Sequence, residues 1–128
     1  MTPTLKYPEM RLDLVAYTGS LRDRDHQRKV WVLHQAGGRQ DSFMDVVHFF
    51  FDDTRLAEEP ATCVGVFLRD QPEADAVDAV VGALDEVLDQ VGPGKADADY
   101  LAAPGWDRVV TAAASLAQLL GDGASSVA

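Results

Sequence analysis

Four residues near the middle of the chain have types and spacing that suit chemistry: Asp41, Asp45, His48 and Asp52. An α-helix advances about 100° per residue, so a helix over about Phe43 to Thr54 gathers all four in one narrow sector with Arg55 close beside it. Imidazole and carboxylates at that spacing can converge on a divalent cation, or a neighbouring carboxylate such as Asp52 or Asp53 can make His48 a stronger base. Both uses require more than the stripe supplies. A metal site needs a further ligand and an ordered outer shell, and the chain carries neither an HExxH pattern nor a Cys/His cluster. Proton transfer needs a reacting partner, but Ser20, Ser42, Thr54 and Cys63 stand in no catalytic motif and there is no glycine-rich phosphate cradle. No catalytic residue, metal ligand or cofactor is therefore assigned, and an enzyme using His48 with Asp45 and Asp52 stands as the alternative reading. The leading use of the stripe is an exposed recognition surface made of Asp45, His48 and Asp52, continued by Asp78, Asp85 and Asp89. Such carboxylates accept Arg or Lys from a basic protein partner and contribute steering and specificity more than affinity. A plainer reading stays open beside it, in which His48 pairs with a neighbouring carboxylate and the acids maintain solubility.

The stretch VVHFFFDDT, residues 46 to 54, must position this stripe. As a helix it places Phe50 with Phe43, Val46 and Val47 towards a core, leaves Phe49 and Phe51 at the margins, and sets His48 and Asp52 on a polar ridge that excludes Asp53. As a strand it would mix polar and apolar residues on both faces, so helix is the better assignment.

The rest of the chain predicts a mainly α fold, a compact bundle of about five helices. Residues 1–9 read as a flexible arm, 10–120 as a single helical domain and 121–128 as a disordered tail. From Arg11 to Tyr17, the residues Leu12, Val15 and Ala16 fit one helical face, and Thr18-Gly19-Ser20 reads as a break or kink. A second helix is expected over about Leu21 to Gln35, with Val30, Trp31, Leu33 and His34 turned inward and Gly37-Gly38 as its stop. Within its charged first turns His26 reads as solvated. Asp41 or Ser42 can cap the next helix.

Residues 63–68, CVGVFL, are ambiguous between apolar helix, irregular core chain and a short strand. A lone strand would leave its backbone groups without a ladder, which favours the first two. Gly65 is expected to allow close chain approach, and Cys63 to be a buried thiol. Asp70-Gln71-Pro72-Glu73 reads as a capping box ahead of a strongly amphipathic helix. That helix, Ala74 to Val91, turns Val77, Val80, Val81, Leu84, Val87, Leu88 and Val91 inward and Asp75, Asp78, Asp85, Glu86 and Asp89 outward. One turn at Asp97 to Ala102 and a last helix from Trp106 to Leu120 complete the bundle, with Trp31 and Trp106 as core anchors.

Charge is unevenly distributed along the chain. Residues 1–40 hold seven Lys/Arg against four Asp/Glu, whereas residues 41–99 hold three against fifteen. A segment of that sign repels phosphate backbones, so no nucleic acid is expected as a partner. No apolar run approaches the roughly 20 residues of a membrane span and no secretory leader is recognisable, which predicts a cytoplasmic protein without membrane contact. The single cysteine excludes an intramolecular disulfide. Monomer and homodimer are both open, the alanine-rich face of the last helix being the candidate contact.

FFDD at 50–53, VGVFLRDQPE at 64–73, VGP at 91–93 and above all YLAAPGWDRVV at 100–110 resemble an uncharacterised family of small acidic proteins from high-GC Gram-positive bacteria such as Streptomyces. The resemblance covers roughly residues 10 to 120 and implies no catalytic residue or cofactor. Its composition is similar to that of immunity proteins from bacterial toxin systems, which implies an inhibitor of a basic effector.

Overall fold

The computed structural model describes residues 5–34, 41–54, 56 and 58–125. They form α1 (Pro8–Arg22), then α2 (Arg24–His26) running into a first π-helical stretch (Gln27–Val32), then α3 (Phe43–His48) running into a second (Phe49–Asp53). A 3-10 turn (Pro60–Cys63), α4 (Gln71–Val91), α5 (Asp97–Leu101) and α6 (Trp106–Ser125) follow. No strand occurs among the described residues, and the fold is a mainly α bundle. The two most extensive helix packings are those of α1 and α4 on α6, and α5 links α4 to α3 and to the first π stretch.

The amphipathic pattern of α4 forms the helix it predicts. Asp70 caps it by accepting from the Glu73 N–H at 3.1 Å, a proline sits in the first turn, and Gly92 ends it at φ +89°, a conformation that favours glycine. Val77, Val80, Val81, Leu84 and Val87 are buried, with Leu88 and Val91 partly so. In α6, Trp106, Val109, Ala113, Leu116 and Leu120 are buried against the same core. The helix continues to Ser125, beyond Leu120 where the helix was expected to end.

Helix α1 departs from expectation twice. It runs unbroken through Thr18-Gly19-Ser20, and its inner face is Leu14, Thr18 and Leu21, while Leu12 is 70% and Val15 42% exposed. The cause is that two inward positions are polar, so the apolar residues visible in the sequence mark the wrong side. Burial then overrides the weak helix propensity of Gly and Ser. Thr18 Oγ1 is buried with no hydrogen-bond partner among the described residues. Thr18→Val keeps the shape and removes an unpaired hydroxyl, so it is expected to raise stability by about 1 kcal/mol. A lower urea midpoint for the variant would contradict this.

In the second helical segment Val30 and Trp31 are buried as expected, but Leu33 and His34 are exposed, His34 at φ +55°. The expected stop at Gly37-Gly38 and the residue Arg55 lie outside the described residues. Cys63 ends the 3-10 turn, and residues 64–68 are neither helix nor strand. The N–H groups of Val66, Phe67 and Leu68 all point to the Cys63 carbonyl at 3.0–3.1 Å, and Gly65 N–H donates to Leu68 O at 2.8 Å. Lys6 and Tyr7 N–H reach Gly65 O and Val66 O at 3.2 and 2.7 Å, so part of the expected N-terminal arm is bonded to this loop. Backbone polarity is thereby satisfied without a ladder. Gly65 sits at φ +87° with no heavy atom within 4 Å of where a Cβ would stand, so its requirement is conformational rather than one of close approach.

Four buried aromatic residues join elements that are distant in sequence. Phe43 stacks on Tyr100 at 4.3 Å, while Trp106 meets Phe43 and Trp31 edge-on at 5.7 and 6.2 Å.

Candidate functional site

The α-helical part of the stripe ends at His48, and Phe49–Asp53 continue as a π-helical stretch. Bonding from i to i+5 widens the turn and rotates successive side chains less than an α-helix does. Phe49 and Phe50 can then both be buried, with Phe51 partly buried. Thr54 Oγ1 donates to Phe49 O at 2.8 Å and closes the stretch. His48 Nδ1 and Asp52 Oδ2 still meet, at 2.5 Å, with side chains 54% and 61% exposed. Asp45 is also exposed. An exposed i,i+4 pair contributes only a few tenths of a kcal/mol.

Asp41 does not belong to this stripe. It precedes α3, which Ser42 caps through Asp45 N–H at 3.2 Å, and its carboxylate turns inward. Oδ1 accepts from Trp31 Nε1 at 2.7 Å and lies 2.7 Å from His26 Nε2, while Oδ2 accepts from Ser20 Oγ at 2.6 Å. The Asp41 side chain is 4% exposed and that of His26 16%, so His26 is not the solvated residue expected. Ser20 and His26 each bond the carboxylate, which places Asp41 between them as an acceptor. Beside this cluster Gln27, 1% exposed, donates to the carbonyls of Ser20 and Leu21 and accepts from Trp106 Nε1 at 3.0 Å. Nothing in the local pattern flagged Gln27; a lone Gln in a charged run reads as surface.

Glu73 also takes a role other than the one expected. As the third-position acid of a capping box it should reach back to Asp70 N–H. Instead its carboxylate, 2% exposed, accepts two bonds from Arg11 at 2.8 Å and two from Arg69, backbone N–H at 2.8 Å and Nε at 3.1 Å. Burial pushes its carboxyl up, but the hydrogen bonds from Arg11 and Arg69 and the charge of Arg11 outweigh this and hold it below its usual 4.5. Arg11 also donates to Phe67 O and Arg69 to Leu119 O, both at 3.1 Å, so one carboxylate connects α1, the 63–68 loop, α4 and α6.

Asp78, Asp85 and Asp89 stand exposed on the outer face of α4, as does Asp75. Glu86 is half-buried there and pairs with Arg108. The residues weighed as nucleophiles have structural partners: Ser20 bonds Asp41, Ser42 and Thr54 cap helical ends, and Cys63 is buried. Among the described residues no three His, Cys, Asp or Glu side chains converge as a metal site. Trp31, Trp106 and Tyr100 are all buried, and Tyr100 OH donates to Gly92 O at 2.8 Å.

Beside Asp52 lies an open groove of about 650 Å³ between the start of α1, the second π stretch and the 60–68 segment. Met10, Phe51, Val66 and Phe67 form its apolar part, with Cys63 among them, and Asp52 and Glu58 are its acidic members. Its described walls come from Tyr7 and Met10, from Phe51, Asp52, Thr54 and Glu58, and from Thr62, Cys63, Val66 and Phe67, and that separation hides it from any local pattern.

These features define an all-helical domain with exposed carboxylates on two helices and a groove beside one of them. The chain belongs to the family described as Domain of unknown function (DUF7945), which matches residues 5–125. Comparison with curated proteins gave no match, and comparison with solved structures gave none. No helix among the described residues is long and apolar enough to cross a membrane.

Proposed function

We propose that this domain is a non-catalytic binding or regulatory protein whose acidic surface recognises a basic protein partner, in the manner of an immunity-like inhibitor. The observation that carries this reading is the placement of Asp45, Asp52, Asp78, Asp85 and Asp89 in solvent on helices whose other faces are core. Side chains held on packed helices lose less freedom on binding than side chains on loops, which favours recognition over mere solubility. Excess negative charge, formally −10 for the chain, speeds encounter with a cationic surface and makes it salt-sensitive. The compositional likeness to immunity proteins of bacterial toxin systems favours a basic effector as the specific partner.

The test is affinity capture from a lysate of the source organism at low and high salt, in parallel with a variant carrying Asp→Asn at positions 45, 52, 78, 85 and 89. The wild type is expected to retain a basic partner at low salt, and the neutralised variant to retain at least about tenfold less, as loss of roughly 1.4 kcal/mol of binding requires. Equal retention by both chains overturns the proposal.

A further inference from the structure

We infer that the groove beside Asp52 is the anchor site for a partner segment in which one apolar side chain is flanked by lysine or arginine. This rests on the acidic-recognition reading above and names the chemistry of the partner at that surface.

A volume of about 650 Å³ falls within the range of about 300–1,000 Å³ common for binding clefts. Phe67 and Cys63 are buried beneath it, and Met10, Phe51 and Val66 are partly buried, so an entering apolar group covers surface that the described residues leave incompletely covered. Among the described residues that line the groove, the charged side chains are both carboxylates. Asp52 is 61% exposed and Glu58 is exposed, and no described residue lining the groove is basic. An apolar floor selects an apolar side chain; carboxylates at its edge select cations on either side of it. The Tyr7 ring, 46% exposed at the same rim, already attracts a cation: Lys6 Nζ lies 5.4 Å from its centroid. The groove is open to solvent, which suits a chain segment that inserts one side chain better than a small molecule needing enclosure. Its sign is wrong for a nucleic-acid backbone or an anionic lipid surface.

The experiment is fluorescence polarisation with dye-labelled, amidated hexapeptides. One panel carries Leu, Met or Phe between two Arg, a second carries Ser at the apolar position, and a third carries Glu in place of both Arg. The first panel is expected to bind about tenfold more tightly than either control. Thr62→Arg places a cation on an exposed rim position of the groove, losing the exposed Thr62 Oγ1 to Glu59 O bond, and is expected to weaken the first panel about tenfold while thermal unfolding stays cooperative. Glu58→Gln should weaken it less, in the same direction. Ser peptides binding as tightly as Leu peptides, or insensitivity to Thr62→Arg, overturns the groove assignment while leaving the acidic surface as a recognition element. Equal binding of the Glu and Arg panels overturns both, and absence of binding by any panel overturns the groove assignment.

Discussion

Replacing Glu73 with alanine is expected to cost about 3–5 kcal/mol of folding stability, the range for removing one partner of a buried charged network. Domains of this size are stable by only about 5–15 kcal/mol, so the variant should unfold at a much lower urea concentration. The reason is less the worth of the ion pairs than what their loss leaves behind. Arg11 and Arg69, 14% and 24% exposed, would retain their charges near one another with no carboxylate between them. Arg69 N–H would also lose its acceptor. Glu73→Gln preserves shape and isolates the charge. Because the folded carboxyl titrates below its usual 4.5, its charge contributes stability that is complete above that value. The contribution is lost as pH falls through the lower folded value. The wild type should therefore exceed Glu73→Gln in urea midpoint at neutral pH, and the gap should narrow as pH drops below 4.5. A gap of constant size through acid would show that the charge of Glu73 does not stabilise the fold.

Asp41→Ala is the second large effect, expected at about 3 kcal/mol. The substitution strands the Trp31 indole N–H inside the core, leaves Ser20 Oγ only the longer bond to Ala16 O and removes the partner of His26, and hydrogen bonds to a charged group are worth about 1.5–3 kcal/mol each in such deletions. Contributions within one network are not additive, so the total stays below their sum. Trp31→Phe supplies the control: it deletes the indole donor, and in its presence Asp41→Ala should cost about 1 kcal/mol less than in the wild type. Urea unfolding of the four proteins in this cycle measures the coupling. Additive losses would mean that Asp41 and Trp31 act independently and that the 2.7 Å contact carries no weight.

Asp41 and Glu73 are both conspicuous in the sequence, and both take roles that their local patterns do not indicate, for related reasons. Asp41 falls in register with Asp45 and His48 only if the helix already includes it. The chain instead begins α3 at Phe43, and the carboxylate follows donors supplied by Ser20, His26 and Trp31 from the preceding elements. Glu73 sits correctly for a cap, but a cation 62 residues earlier reaches it bidentately and outcompetes one backbone N–H. The α1 face was misread because Thr18 and Ser20 occupy buried positions, so hydrophobicity alone marks the opposite side. By contrast α4 and the inner face of α6 are legible almost residue by residue, since their apolar side chains recur at helical spacing and α4 carries Asp70 and Gly92 at its ends, whereas α6 runs past Leu120 to Ser125 with no local signal to mark it.

The sequence by itself determined the helical class, the long amphipathic helices, the buried thiol, the burial of both tryptophans and the exposure of Asp45, His48, Asp52, Asp78, Asp85 and Asp89. All of these follow from periodicity and from the cost of burying charge, which act within one or two turns. Tertiary structure alone decided which acids leave the surface, how residues 63–68 satisfy their backbone, and that a groove opens beside Asp52. Those outcomes depend on donors, acceptors and walls brought together from separate elements of the chain. A carboxylate enters a core only where such partners offset its lost hydration.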